Sequence, residues 1–191
     1  MRLERHLARL DASAAALGFA YDAASMIDLL NQLSPGFVVD RRVRVQLERD
    51  GRVAVTHAPL GPNSLEPIRL GRAREPVHPG DPFLRHKTTR RDVYERAFAE
   101  AAALGLDDAV LMNSRSEVTE TARANLFTEI DGQVLTPAVA SGLLPGVLRA
   151  EMIASGAAKE AVLTWEDLQR ADRLWVGNSL RGLQVATLDR R

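Results

Sequence analysis

The stretch FLRHKTTRRDVYERAF, residues 83–98, contains a lysine where the rest of the chain uses arginine. The chain has 23 arginines and only two lysines, Lys87 and Lys159, and Lys87 lies among three of the arginines. A guanidinium keeps its proton in a protein, whereas a lysine amine can lose its proton and form a Schiff base with an aldehyde. Lys87 is therefore a candidate nucleophile, although an ordinary solvated lysine is the commoner case on spacing alone.

A proline-rich segment directly precedes this stretch. REPVHPGDPF, residues 74–83, has three prolines and one glycine in ten residues, a composition typical of a linker. We therefore expect an N-terminal lobe over residues 1–80 and a C-terminal lobe over residues 86–191. Helix and strand signals occur on both sides of the segment, so the sequence predicts an α+β fold with Lys87 just after the boundary.

The composition limits the classes of function. The 191 residues are 46% hydrophobic and 26% charged, and 25 basic residues balance 25 acidic ones. No net field draws such a chain to nucleic acid or to an anionic membrane, so we expect a small-molecule partner. The absence of cysteine excludes disulfides and thiol catalysis. The four histidines are scattered and no apolar run approaches about 18 residues, so we expect no metal site and a cytoplasmic protein.

Hydrophobic periodicity predicts helices and hairpins in both lobes. In the first lobe, Gly18 closes a helical stripe, and apolar and polar residues alternate around Asp50-Gly51, as in a β-hairpin. The elements expected there are helices over 3–17 and 23–33, a hairpin over 43–58 and a strand over 68–70. Those expected in the second lobe are a helix over 94–104, a buried strand over 108–114, a hairpin over 124–137 turning at Asp131-Gly132, a helix over 144–156 opened by Pro145, a capping box at Thr164, and strands over 173–179 and 183–188.

Four motifs in this order resemble a known family. They are Lys87 itself, EVTETARANLF at 117–127, LLPGVLR at 143–149 and WVGNSLRG at 175–182. The chain is similar to the class IV (fold type IV) pyridoxal-phosphate (PLP) enzymes, which include branched-chain and D-amino-acid aminotransferases and 4-amino-4-deoxychorismate lyase. The resemblance implies a two-lobed fold like that of D-amino-acid aminotransferase, with PLP in the cleft between the lobes. It also implies a homodimer that acts on a small amino-acid-like substrate.

The resemblance assigns roles to single residues. Lys87 would form the Schiff base with PLP and move the Cα proton, and Glu120 would keep the pyridine nitrogen protonated. Taken alone, Glu120 could be an exposed strand carboxylate, and Pro145-Gly146 could simply start a helix. The implied cofactor ligands are Arg9, Lys87, Glu120, Ser179 and the backbone amides of Val147 and Leu148; the implied substrate contacts are Asn178 and Arg181.

Three functions remain open on the sequence. HKTTRR at 86–91 and NSLRG at 178–182 are most similar to the lyase, which converts 4-amino-4-deoxychorismate to 4-aminobenzoate and pyruvate in folate synthesis. The branched-chain transaminases usually carry a tyrosine five residues after the lysine, where this chain has Asp92, so a transaminase ranks second. The third alternative is a non-catalytic protein of the same fold, because the family's first strand pair is missing before the helix LERHLARL at 3–10.

Overall fold

The computed structural model describes residues 2–189, and the chain forms two compact units, Met1–Pro62 and Asn63–Arg191. This division differs from the lobes expected at 1–80 and 86–191. The segment around residue 80 belongs to the second unit because Val77 bridges to Asn113, at the end of a core strand. The proline-rich composition therefore marks irregular backbone inside the second unit.

The first unit contains the two helices and the hairpin that the sequence predicts. Gly18 ends the first helix with a φ of 69°, and Asp22 caps the second by accepting a hydrogen bond from the amide of Ala24. Gly51, with a φ of 90°, supplies the left-handed backbone that the hairpin turn needs. The elements are α1 Arg2–Leu17, α2 Ala23–Leu33, β1 Arg41–Leu47 and β2 Val53–Pro59.

An eight-stranded mixed sheet forms the frame of the second unit. Its strands are β3 Ile68–Arg72, β4 Asp108–Met112, β5 Val118–Thr121, β6 Asn125–Ile130, β7 Gln133–Pro137, β8 Lys159–Ala161, β9 Arg173–Asn178 and β10 Gly182–Leu188. They lie in the order β5-β4-β3-β10-β9-β6-β7-β8. The pairs β3–β4, β3–β10 and β7–β8 are parallel and the other pairs are antiparallel. The mixed α+β class that the sequence predicts is confirmed.

Alternation along β4 builds a core on each face of the sheet. Val110 and Met112 point to one face and join a cluster of aliphatic side chains from six strands and α5. Ala109 and Leu111 point to the other face, where they pack against α3. The helices are α3 Asp92–Ala103, α4 Val147–Ala154 and α5 Trp165–Gln169, and Thr164 forms the predicted capping box at the start of α5. Among residues 2–189, no helix is long and apolar enough to cross a membrane.

Candidate active site

Lys87 lies in irregular backbone between a short 3-10 helix, Pro82–Arg85, and α3. Asp81 caps the 3-10 helix by accepting a hydrogen bond of 2.9 Å from the amide of Phe83. Upstream, the amide of Val77 donates to Met112 at the end of β4, so the segment that carries Lys87 starts from a fixed point on the sheet. The side chain of Lys87 is exposed.

Glu120 lies on β5, and its side chain is buried rather than exposed. Its Oε1 accepts hydrogen bonds from the hydroxyl of Tyr94 and from the backbone amide of Leu144, both at 2.9 Å. Its Oε2 accepts a longer bond of 3.3 Å from Nδ2 of Asn125. Three donors from α3, β6 and the loop before α4 therefore fix this carboxyl group.

The environment of Glu120 raises its pKa to about 7, because burial penalises the charged form. The Leu144 amide, the Tyr94 hydroxyl and the charges of Lys87 and Arg91 oppose the rise, since each favours the carboxylate. Burial and the neighbouring carboxyl also raise the pKa of Tyr94, so the phenol stays a donor near neutral pH. A buried carboxyl group whose pKa is shifted in this way is a candidate functional group.

Arg91 and Tyr94 complete this cluster, and neither was among the site residues that the sequence predicted. Nη2 of Arg91 donates to the carbonyl oxygen of Ala122 at 2.6 Å, and its guanidinium lies 4.6 Å from the centre of the Tyr94 ring. Tyr94 shares the buried stripe of α3 with Ala97 and Ala101. That stripe was the available signal, because a buried tyrosine hydroxyl normally finds a polar partner.

The start of α4 lies beside this network. Gly146 is the N-cap and Val147 the first helical residue, so Pro145 precedes the helix instead of opening it. No side chain caps this helix end, and the first amides of a helix have no acceptor within the helix. The amides of Val147 and Leu148, which the sequence predicts as phosphate ligands, are therefore oriented as an anion site requires.

The loop between β9 and β10 carries the other predicted ligands. Oδ1 of Asn178 accepts hydrogen bonds from the amides of Leu180 at 3.0 Å and Arg181 at 2.9 Å, so this side chain closes the turn. Nη1 of Arg181 donates to Oδ1 of Asn63 at 3.2 Å. The substrate roles of Asn178 and Arg181, and the phosphate role of Ser179 in the same loop, stay predictions.

Arg9 lies on α1 in the first unit, where its Nη2 is 3.4 Å from Nδ1 of His6. Its predicted contact with the cofactor phosphate stays a prediction. Within residues 2–189, no group of three or more His, Cys, Asp or Glu side chains is arranged to hold a metal ion.

Comparison with protein families places this cluster in a known context. The model of the amino-transferase class IV family matches residues 1–187. The chain belongs to this family of enzymes. The family that the four sequence motifs predict is therefore confirmed, and the match covers both units of the chain.

The proteins that are similar to this chain carry more than one functional name. A candidate amino-acid aminotransferase from Mesorhizobium loti is 40% identical, with a TM-score of 0.94 over 99% of this chain and 92% of its own. A candidate aminodeoxychorismate lyase from Schizosaccharomyces pombe is 28% identical over 94% of this chain and 80% of its own length. An aminotransferase from Brucella abortus bound to PLP has the same fold, with 21% identity and a TM-score of 0.85 over 99% of this chain and 76% of its own.

Proposed function

We propose that this class IV protein is a PLP-dependent lyase that converts 4-amino-4-deoxychorismate to 4-aminobenzoate and pyruvate. The observation that carries the PLP chemistry in this proposal is the buried Glu120, whose carboxyl group is held by three donors and whose pKa is lowered by the charge of Lys87. The similarity to the S. pombe protein, which is named as a lyase, extends over 94% of the chain and supports the same reaction.

The side chains and backbone amides of this chain offer suitable partners for both the aldehyde and the phosphate of PLP. When bound, PLP supplies an aldehyde that condenses with amines and a ring that takes up the charge of a substrate carbanion. Lys87 would hold the aldehyde and, once released from it, would carry the Cα proton of the substrate. The amides of Val147 and Leu148 would bind the phosphate, with Arg9 and Ser179 as further ligands.

Glu120 would hold the pyridine nitrogen in its protonated form. In the site as it stands, burial outweighs the opposing hydrogen bonds and charges and raises the pKa of Glu120 to about 7. A cationic N–H group placed against Oε2 would favour the carboxylate, because an opposite charge at hydrogen-bond distance lowers an acid pKa. Glu120 would therefore be ionised when the cofactor is bound, and the protonated ring would be the better acceptor of electrons.

The lyase ranks above a branched-chain transaminase because of the segment after Lys87. Position 92 is an aspartate, and the nearby Tyr94 donates its hydroxyl to Glu120. A transaminase is the second candidate, since the M. loti protein that is 40% identical is named as an amino-acid aminotransferase. Incubation with 4-amino-4-deoxychorismate alone separates the two: a lyase releases pyruvate without a keto acid, whereas a transaminase needs one to complete its second half-reaction.

The site also predicts which lysine the cofactor labels. PLP should give the wild-type protein a near-visible absorption band, and borohydride reduction followed by peptide mapping should place the label on Lys87. Lys87→Ala should abolish the band. The matched control is Lys159→Ala, which alters an exposed lysine on β8 and should leave the band unchanged. A label on Lys159, or no band at all, would overturn the proposed role of Lys87.

A cytoplasmic homodimer completes the proposal. The resemblance to the class IV enzymes is its support for the dimer, and the absence of cysteine is compatible with a reducing compartment. Sedimentation should then give about twice the 20.9 kDa of one chain. A monomer that still releases pyruvate would remove the dimer from the proposal and leave the reaction in place.

A further inference from the structure

One side chain, Asn125, links Glu120 to the loop that leads into α4. Its Nδ2 lies 3.3 Å from Oε2 of Glu120 and 2.9 Å from the carbonyl oxygen of Leu144. The amide of Leu144 in turn donates to Oε1 of the same glutamate. Glu120, Asn125 and Leu144 therefore form a closed ring of hydrogen bonds that includes both oxygens of the carboxyl group.

Gly146 shows how tightly this ring packs against the start of α4. A Cβ added at Gly146 would lie 2.0 Å from Oδ1 of Asn125, far inside any possible contact. The backbone at Gly146 has a φ of −66° and a ψ of 150°, which every residue type adopts easily. The space occupied by the Asn125 amide, and not the backbone conformation, is therefore what requires glycine here.

The ring of hydrogen bonds among Glu120, Asn125 and Leu144 connects two sites that one rigid ligand would occupy together. In the proposed function, the amides after Gly146 bind the phosphate of PLP and Glu120 binds the pyridine nitrogen. The aromatic ring fixes the separation of its nitrogen from its phosphate arm within a narrow range. Preorganised sites bind more tightly, because less freedom is lost on binding, so the two protein sites need a matching and constant separation.

We propose that Asn125 is a positioning residue that couples the phosphate-binding end of the site to Glu120. This inference rests on the proposed function, because it assumes PLP in this site. Asn125 itself touches neither end of the cofactor in this proposal. It acts by fixing the positions of Leu144 and Glu120 relative to each other. Because Gly146 packs directly against the Asn125 amide, the position of that amide also affects the start of α4.

The alternative is that Asn125 only fills space in a buried region, and its effect on Glu120 distinguishes the two roles. Within residues 2–189, the titratable and charged side chains that act on the pKa of Glu120 include Tyr94 from α3 and Lys87 and Arg91 from the segment before it. Asn125 adds a neutral donor, which favours the carboxylate. Displacing its amide should therefore raise the Glu120 pKa, whereas lost packing alone would lower stability without moving the titration.

The test is a double-mutant cycle on Asn125 and Gly146. The first measurement is the dissociation constant of PLP from the holoenzyme. The second is the carbon NMR titration of the Glu120 carboxyl group in the PLP-free protein. Gly146→Ala alone should push the Asn125 amide away, weaken PLP binding by about tenfold and raise the Glu120 pKa. In the Asn125→Ala background the obstructing amide is gone. There, Gly146→Ala should change PLP affinity by less than about threefold and leave the titration unmoved.

The cycle has a control and clear opposing outcomes. Gly61→Ala adds a methyl group where nothing lies within 4 Å, so it should change neither measurement. If Asn125→Ala fails to fold, Asn125→Ser gives the same comparison with a smaller polar side chain. If the two substitutions lowered PLP affinity additively, the coupling role of Asn125 would be overturned and the proposed function would stand. A wild-type protein that takes up no PLP would overturn both the proposed function and this inference.

Discussion

The raised pKa of Glu120 makes the stability of the PLP-free protein depend on pH. In the unfolded chain this carboxyl titrates near 4.5, and in the folded protein near 7. The folded state therefore binds the proton more tightly, and stability falls as pH rises through the window between these values. The difference corresponds to about 3 kcal/mol of unfolding free energy at pH 8 relative to pH 4.

Glu120→Gln, a neutral side chain of the same shape, isolates this contribution. Urea unfolding at a series of pH values should show that the free energy of unfolding falls between about pH 4.5 and pH 7 in the wild type. Glu120→Gln should not show this fall. Other groups that titrate in this range affect both proteins equally, so the difference between the two curves is the measured quantity. Parallel curves would show that Glu120 titrates at its ordinary pKa.

The hydroxyl of Tyr94 should lower the pKa of Glu120, because it donates to the charged form. Tyr94→Phe should therefore raise the Glu120 pKa above about 7 and cost about 1 kcal/mol of stability. Carbon NMR titration of the Glu120 carboxyl measures the first effect. The other tyrosine gives a matched control: the hydroxyl of Tyr21 in the first unit is buried and has no hydrogen-bond partner among residues 2–189, so Tyr21→Phe should leave the titration unchanged.

At the level of elements, Gly177 sets how closely α4 packs on β9. A Cβ there would lie 2.8 Å from a methyl carbon of Leu183, 2.9 Å from one of Leu148 and 3.1 Å from the Phe127 ring. Gly177→Ala should displace the start of α4 and cost about 1–3 kcal/mol, the usual range for overpacking a core. Chemical unfolding measures the loss, and Gly61→Ala again serves as the control. If Gly177→Ala lowered the free energy of unfolding no more than the control does, α4 would be shown to move away from β9 without destabilising the fold.

Elements with local signals could be predicted from the sequence, and contacts between distant elements could not. Asp131-Gly132 forms a hairpin turn with positive φ at both residues, as the sequence predicts, because turn chemistry is local. The sequence does not predict the short strands β5 and β8 as separate elements, since their pairing depends on distant neighbours. For the same reason the family resemblance points to Glu120, but the sequence does not reveal its partners: Tyr94 lies 26 residues away and Leu144 lies 24 residues away.

At the level of the whole molecule, the proline-rich segment does not coincide with the division into two compact units, and the reason is physical. Prolines at 76, 79 and 82 indicate irregular backbone. However, the amide of Val77 donates to the carbonyl oxygen of Met112 at the end of β4, and the carbonyl oxygen of Val77 accepts from the amide of Ser114. Composition reveals the lack of regular structure and not whether the segment is anchored. Lys87, Glu120, Asn125 and the start of α4 consequently lie in one unit, while Arg9 lies in the other.

The segment at residues 61–67, where the two units meet along the chain, should be the first site of proteolysis. All seven residues are exposed, and the segment has no helix or strand. Asn63 is tied to Arg181 by its side chain, but Leu65 is fully exposed and offers a cleavage site to chymotrypsin. Mass spectrometry of a brief digestion should show the cut after Leu65, and Leu65→Ser should slow it. A first cut after Phe83 instead would indicate that the segment before Lys87 opens more readily than the junction of the units, against the anchoring of Val77.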